Sequence, residues 1–174
     1  MSLQPFNGKY IVPENVHPLI AGVLTVMHER HGDMLDLIDG LPPDALQWTP
    51  GLRMSSLAGL TRHIMDVWVS TVRVAAGDLP GWHGENGAFL DATDNTLTLI
   101  ACISEGDAYC KHVLPTLPAA RLFAHWPGDA ARTIGISLIE EGDHSAMHYG
   151  HMQITRHLYE QAHPEFASRY VHWQ

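Results

Sequence analysis

The stretch SLIEEGDHSAMHYGHMQITRHLYEQA, residues 137–162, decides the fold. Its apolar residues recur with the period of a helix, and Ser137 with Glu140 three positions later fits a capping box at its start. His163 and Pro164 follow directly and end the pattern. The stretch therefore predicts one long helix, about twice the average length in globular proteins.

Three further segments carry helical periodicity. They run from about His17 to Asp39, from Ser55 or Ser56 to Gly77, and from about Asp94 to Val113. Four long helices without a set of alternating strands predict an all-α chain, folded as an antiparallel four-helix bundle. Between the third and fourth helices, residues 121–134 are expected to form a short hairpin or an irregular crossover.

Two histidines of the last helix share one face. His144 and His148 lie four positions apart, so they project only ~40° apart around the axis and ~6 Å apart along it. A third ligand to the same ion has to come from another helix. His63 is the candidate, because it borders the apolar stripe of the second helical segment. Three neutral imidazoles with an open fourth position are typical of a reactive divalent metal site rather than a structural one.

Other catalytic motifs fit this chain less well. A zinc protease needs Glu directly after the first histidine as its general base, and Ser145 stands there. Carboxylate-bridged di-iron bundles need Glu-x-x-His on two helices; Glu141 and His144 have that spacing, but the second helical segment contains no Glu. The sequence also contains no G-x-S-x-G elbow and no G-x-x-x-x-G-K loop. These reaction classes are therefore disfavoured.

Nearly the whole chain resembles the DinB superfamily of metal-binding four-helix bundles. The resemblance rests on a Trp-Thr-Pro-Gly turn at residues 48–51, a Ser-capped second helix with one His, and a final helix similar to H-x-x-x-H-x-G-Q. It implies that the metal ligands are His63, His144 and His148. His151 stands where the family has Gln, ~10 Å along the axis from His144, too far to share the ion. We expect His151 beside the site, as a catalytic hydrogen-bonding or proton-transfer group.

The superfamily includes YfiT-type proteins, bacillithiol and mycothiol S-transferases, and maleylpyruvate isomerases. The resemblance therefore implies a metal-dependent enzyme with a small-molecule substrate and a low-molecular-weight thiol as cosubstrate. We expect Zn²⁺, or Ni²⁺ given the all-imidazole ligand set, which would lower the pKa of a bound water or thiol toward about 7. Thiol transfer, isomerisation through a thiol adduct and hydrolysis all remain open. The alternative is a non-catalytic metal-binding or dimerising bundle.

Composition limits the partners and the location of the chain. Its 174 residues, 45% of them hydrophobic, suffice for one domain spanning residues 1–174. The net charge of −9, with ten scattered Lys and Arg, argues against nucleic acid and anionic membranes as partners. No stretch approaches ~20 apolar residues, and residues 1–8 lack the pattern of a secretory signal, so a cytoplasmic location is expected. Cys102 and Cys110, ~12 Å apart along one helix, are expected to be reduced thiols.

The remaining predictions concern residues around the site and the end of the chain. Asp66 and Asp143 lie near ligands in sequence and are candidate acceptors for imidazole N–H groups, the alternative being solvated carboxylates. The nine other histidines are expected to be surface or satisfied core residues. The apolar tail, residues 166–174, is expected to pack on the bundle or on a second copy of the chain. Packing on a second copy is the basis for predicting a homodimer.

Overall fold

Helices make up most of the computed structural model, which describes residue 6 and residues 9–52, 54–80 and 95–166. In chain order the helices are α1 (Pro18–Ile38), α2 (Pro43–Gln47), α3 (Leu57–Ala76), α4 (Thr96–Val113), α5 (Ala119–Leu122) and α6 (Ile134–Ala162). Short 3-10 turns follow α4 and α6 at Leu114–Thr116 and Pro164–Phe166. The prediction of an all-α chain is confirmed.

A small hairpin lies between α5 and α6, where a hairpin or crossover was expected. Its strands are β1 (His125–Trp126) and β2 (Asp129–Thr133), and they pair antiparallel. Gly128 in the turn has a φ of +83°, a left-handed conformation that glycine adopts without steric cost. The described residues contain no other strands.

Local caps set the start of the middle helices. Ser56 Oγ accepts a hydrogen bond from the Gly59 amide at 3.1 Å, which confirms the predicted start of α3. Gly77 ends α3 with a φ of +92°. Asn95 and Thr98 form a reciprocal capping box at the start of α4. The predicted start of that helix at Asp94 lies just outside the described residues.

The start of α6 differs from the prediction. Thr133, not Ser137, caps the helix: its Oγ1 accepts from the Ile136 amide at 3.3 Å. Ser137 lies inside the helix and donates its hydroxyl to the Thr133 carbonyl. The additional turn packs tightly on α5, since a Cβ on Gly135 would lie only 3.1 Å from the Leu122 carbonyl oxygen. The start of α6 thus coincides with the Thr133 cap and with this contact to α5, four residues before the predicted cap.

Contacts near both ends show that α1 and α6 run parallel. Leu19, at the start of α1, packs at Gly135, at the start of α6. Near the other end, the Arg156 guanidinium of α6 donates to the Leu37 carbonyl of α1. The two helices therefore lie side by side in the same direction.

The other two long helices run the opposite way. Thr96, at the start of α4, donates to the Leu41 carbonyl just after α1, so α4 is antiparallel to α1. Trp48, shortly before α3, contacts the ring of Tyr159 near the end of α6, so α3 is antiparallel to α6. The prediction of an antiparallel bundle is thus wrong for two neighbouring pairs, α1 with α6 and α3 with α4. Such parallel neighbours require connections long enough to return along a helix, and residues 77–95 provide one between α3 and α4.

A buried polar network joins α1 to α4. Asp107 accepts a hydrogen bond from His31 Nδ1 at 2.9 Å, and Lys111 Nζ lies 2.6 Å from its other carboxylate oxygen. Lys111 also donates to His28 Nδ1 at 2.8 Å. Burial alone would raise the pKa of Asp107, but the bonds from His31 and Lys111 hold it below its usual value. The network thus keeps a charged carboxylate between α1 and α4 by supplying it with donors.

Both cysteines and all the long helices lie within the described residues. Cys102 and Cys110 are reduced thiols that form no disulfide, as predicted. Burial raises the pKa of Cys110 to about 12, with the nearby carboxylates of Asp107 and Glu141 adding to the effect. None of the described helices combines the length and the apolar character that a membrane span requires.

Candidate metal centre

The antiparallel contact of α3 with α6 brings three histidines together. We call them the histidine cluster: His63 from α3, and His144 and His148 from α6. One ring nitrogen from each lies within 4.8 Å of the others, and the Nε2 atoms of His63 and His144 are 3.0 Å apart. The three ring centroids are 4.5–5.0 Å apart in pairs. In the described part of the chain this is the one group of three or more His, Cys, Asp or Glu side chains with spacing suited to a metal ion.

The local structure accounts for this convergence. The i, i+4 spacing on α6 places His144 and His148 on the side that faces α3. On α3, the neighbouring Ile64 is fully buried, whereas His63 lies at the edge of the buried face and is half-buried. All three rings are partly exposed, so a small molecule can approach the cluster from solvent. The spacing of His144 and His148, the apolar stripe beside His63 and the family resemblance had predicted this set, and the role of the three as metal ligands stays a prediction.

Two of the three rings, His148 and His63, favour the neutral form. The pKa of His148 is lowered to about 4, first by burial and then by the neighbouring imidazoles of His144 and His63. Burial also lowers the pKa of His63, and the charge of Asp66 opposes this only in part. Neutral imidazole is the form that binds a metal ion. Around pH 7 these two rings are therefore already in the ligand form, without a proton to displace.

Glu141 is a buried partner of the histidine cluster that the sequence spacing did not predict. It is only 4% exposed, and its Oε1 accepts a hydrogen bond from His144 Nδ1 at 3.1 Å. Burial raises the pKa of Glu141 above its usual value, and the hydrogen bond from His144 offsets only part of this rise. A carboxylate on one ring nitrogen fixes the tautomer and leaves the other nitrogen free to bind. The Glu-x-x-His spacing is present in the sequence, where it also fits one part of a di-iron motif.

The two aspartates predicted as imidazole acceptors lie in solvent. Asp66 and Asp143 are both exposed. Asp66 acts on His63 through its charge. Asp143 lies against a cavity between α1 and α6, on a different side of the helix. The carboxylate that bonds to the cluster is thus the buried Glu141, three residues before His144.

His151 stands beside the cluster rather than within it. Its Nδ1 is 3.4 Å from Nδ1 of His148, and the two ring centroids are 5.3 Å apart. The side chain is exposed, one turn further along α6 than His148. This position suits a hydrogen-bonding or proton-transfer group, and the catalytic role of His151 stays a prediction.

The donor set fits a divalent ion. In a tetrahedral zinc site with Zn–N distances of ~2.0–2.1 Å, ligand nitrogens lie roughly 3.3 Å apart. The facing Nε2 atoms of His63 and His144, at 3.0 Å, are close to that spacing. With the carboxylate of Glu141 behind one ring, the cluster has the parts of a three-histidine centre.

A family model supports this assignment of the fold. The model of the DinB superfamily matches residues 27–152, which is more than half of the chain and includes the histidine cluster and His151. The chain belongs to the DinB superfamily. Comparison with the curated proteins and with the solved structures gave no match. This DinB superfamily member thus has a three-histidine cluster within the region that defines its family, and its chemistry has to be inferred from that cluster.

Proposed function

We propose that this DinB superfamily protein is a divalent-metal-dependent enzyme that binds a small-molecule substrate. The ion would be held by the histidine cluster, with a fourth position for water or substrate. One observation carries the proposal: three partly exposed imidazoles converge within 4.8 Å, and one of them is held from behind by a buried carboxylate. A purely structural histidine pair would need neither the open side nor that carboxylate.

The protein's own residues have separable tasks at this centre. Glu141 would hold the proton of His144 on Nδ1 and so keep Nε2 available. His151, exposed and 3.4 Å from His148, would exchange protons between the site and solvent. The ion would supply a lowered pKa, toward about 7, for a bound water or a thiol. Zn²⁺ and Ni²⁺ both suit a set of neutral imidazoles.

The reaction class is a thiol-dependent transfer or isomerisation, or a hydrolysis. In a thiol-dependent reaction the sulfur would come from a low-molecular-weight cosubstrate. Cys110 is fully buried with a pKa of about 12, so at neutral pH it supplies no thiolate. The Cys110 thiol is therefore excluded as the nucleophile.

Metal analysis followed by a thiol assay tests the proposal. The protein, purified without a metal-affinity column, should contain close to one Zn²⁺ or Ni²⁺ per chain. A set of low-molecular-weight thiols with monochlorobimane as the electrophile should show turnover that a chelator removes and the metal restores. His144→Ala should lack both metal and turnover. A chain that binds no divalent metal would overturn the proposal, and stoichiometric metal without turnover on thiol, isomerase or esterase substrates would favour the non-catalytic alternative.

We also propose a homodimer, as the apolar tail suggests. Phe166, the first tail residue, is 41% exposed and lies 6.0 Å from the ring of Tyr159, so it covers part of its own bundle. Trp173 and the rest of the tail lie outside the described residues. Light scattering should give twice the 19.3 kDa chain mass, and a monomer at tens of micromolar would contradict the proposal.

A further inference from the structure

The cavity between α1 and α6 lies away from the histidine cluster. Its volume is about 460 Å³, within the range of about 300–1,000 Å³ that small-molecule sites occupy. Its walls are mostly apolar, and Trp68 of α3 reaches it from the core. Around α6, the cavity residues Gly142 and Ala146 point roughly 120–160° away from His144 and His148. The cavity is therefore separate from the candidate metal centre.

Two glycines keep this cavity open. Gly22 of α1 and Gly142 of α6 both line it. A Cβ on Gly22 would meet nothing within 4 Å, and one on Gly142 would make only an ordinary contact, 3.9 Å from Val26. Elsewhere close packing does require glycine, since a Cβ on Gly106 would lie 2.5 Å from a methionine side chain. Glycine lowers helix stability relative to alanine, so Gly22 and Gly142 cost stability without serving the packing of the bundle.

The cavity also has two hydrogen-bond donors that find no partner in the described part of the chain. Trp68 Nε1 and Arg30 Nε are buried, and neither has a hydrogen-bond partner among the described residues. Both residues line the cavity. Arg30 is held in place by Asp33 at 3.2 Å and by the ring of Tyr149 beneath its guanidinium. An indole N–H and a guanidinium N–H can only donate, so the group that would satisfy them is an acceptor.

We propose that this cavity binds a small apolar or aromatic molecule that carries a carbonyl or carboxylate oxygen. The apolar walls would take the body of the ligand, and Trp68 and Arg30 would donate to its oxygen. Val26 and Ile139, 44% and 54% exposed, form an apolar rim through which such a ligand can enter. This site does not depend on the proposed metal-dependent activity.

Calorimetric titration of the full chain with three matched probes tests the proposal. The probes are 2-naphthoate and 2-acetylnaphthalene, which carry an acceptor, and naphthalene, which does not. We expect saturable binding of both acceptor probes with one site per chain, and about tenfold weaker binding of naphthalene. The ratio of the first two affinities tells whether an anion or a neutral carbonyl is preferred.

Substitutions that fill the cavity supply the matched controls. Gly22→Leu places a side chain into open space, so it should weaken probe binding at least about tenfold while leaving the melting temperature equal or higher. Gly142→Leu fills the same cavity from the opposite helix and serves if the first variant does not fold. Ala108→Leu adds the same side chain at an exposed position of α4 and should leave binding unchanged.

Three results would overturn the proposal. One is the absence of saturable binding of either acceptor probe. Another is an affinity for naphthalene equal to that for the two acceptor probes. Equal probe binding by the parent chain and both cavity-filling variants would count in the same way. The third is loss of probe binding after treatment with a chelator or in His144→Ala, because the probe would then occupy the metal centre. Failure of the metal assay leaves probe binding unaffected, so the two proposals fail separately.

Discussion

Replacing Glu141 gives the most discriminating test of the metal centre. Its carboxylate is 4% exposed and holds His144 through one hydrogen bond of 3.1 Å. Removing such a partner behind a ligand costs about 10–100-fold in metal affinity, or about 1.4–2.7 kcal/mol. Because 3.1 Å is near the long end of the N–H···O range, we expect Glu141→Ala to weaken Zn²⁺ binding about tenfold. Glu141→Gln keeps an acceptor and should lose about threefold.

Competition with a fluorescent zinc chelator at pH 7 measures these affinities. Glu140→Ala is the matched control, because Glu140 is the preceding residue and its contact with Arg132 is exposed to solvent. Urea unfolding separates a metal effect from a folding defect: removing a buried carboxylate should leave the free energy of unfolding of the apoprotein unchanged or higher. The reasoning is refuted if Glu141→Ala loses no more affinity than Glu140→Ala does.

Three further predictions follow from the same structure. Alanine at any one residue of the histidine cluster should remove most bound metal, while far-UV circular dichroism still shows a helical protein. The control is His157→Ala, at an exposed position of α6. Stoichiometric metal in all three cluster variants would disprove the ligand set. His151→Gln should keep its metal by elemental analysis and change turnover modestly, whereas loss of metal there would make His151 a ligand. The pKa of Asp107 is lowered in the fold, so its stabilisation is present above the unfolded pKa of about 3.9 and is lost as the pH falls through the folded pKa. Asp107→Asn should therefore lower the free energy of unfolding by about 2 kcal/mol at pH 7, and urea unfolding at pH 3 should show a smaller difference; a constant difference would contradict this.

The sequence predicted the features that depend on spacing along one helix. The i, i+4 pair of His144 and His148 follows from helix geometry, and the apolar stripe of α3 leaves His63 as the natural third partner. The caps at Ser56 and Gly77 are likewise local signals. Such features need no knowledge of which helices are neighbours.

Features that depend on packing between elements were missed. The first turn of α6 starts at the Thr133 cap and packs at Gly135 on the Leu122 backbone, a contact that the capping box predicted at Ser137 does not record. Glu141 was passed over because only the folded chain shows that this carboxylate, unlike Asp143 two residues later, is buried. The parallel order of α1 with α6 was missed for the same reason, since helical periodicity gives a buried face but not the helix that covers it.

The separation of the ligands along the chain has a consequence for the order of assembly. His63 and His144 are 81 positions apart, with α4 between their helices in sequence. Of the three cluster residues, at most His144 and His148 lie close together before α3 and α6 pack, so metal binding by all three has to wait until α6 exists and has packed on α3. An ion that binds only this folded state shifts the folding equilibrium toward it in proportion to its free concentration. Metal supply in the cell would then set how much of the newly made chain is protected from unfolding and proteolysis.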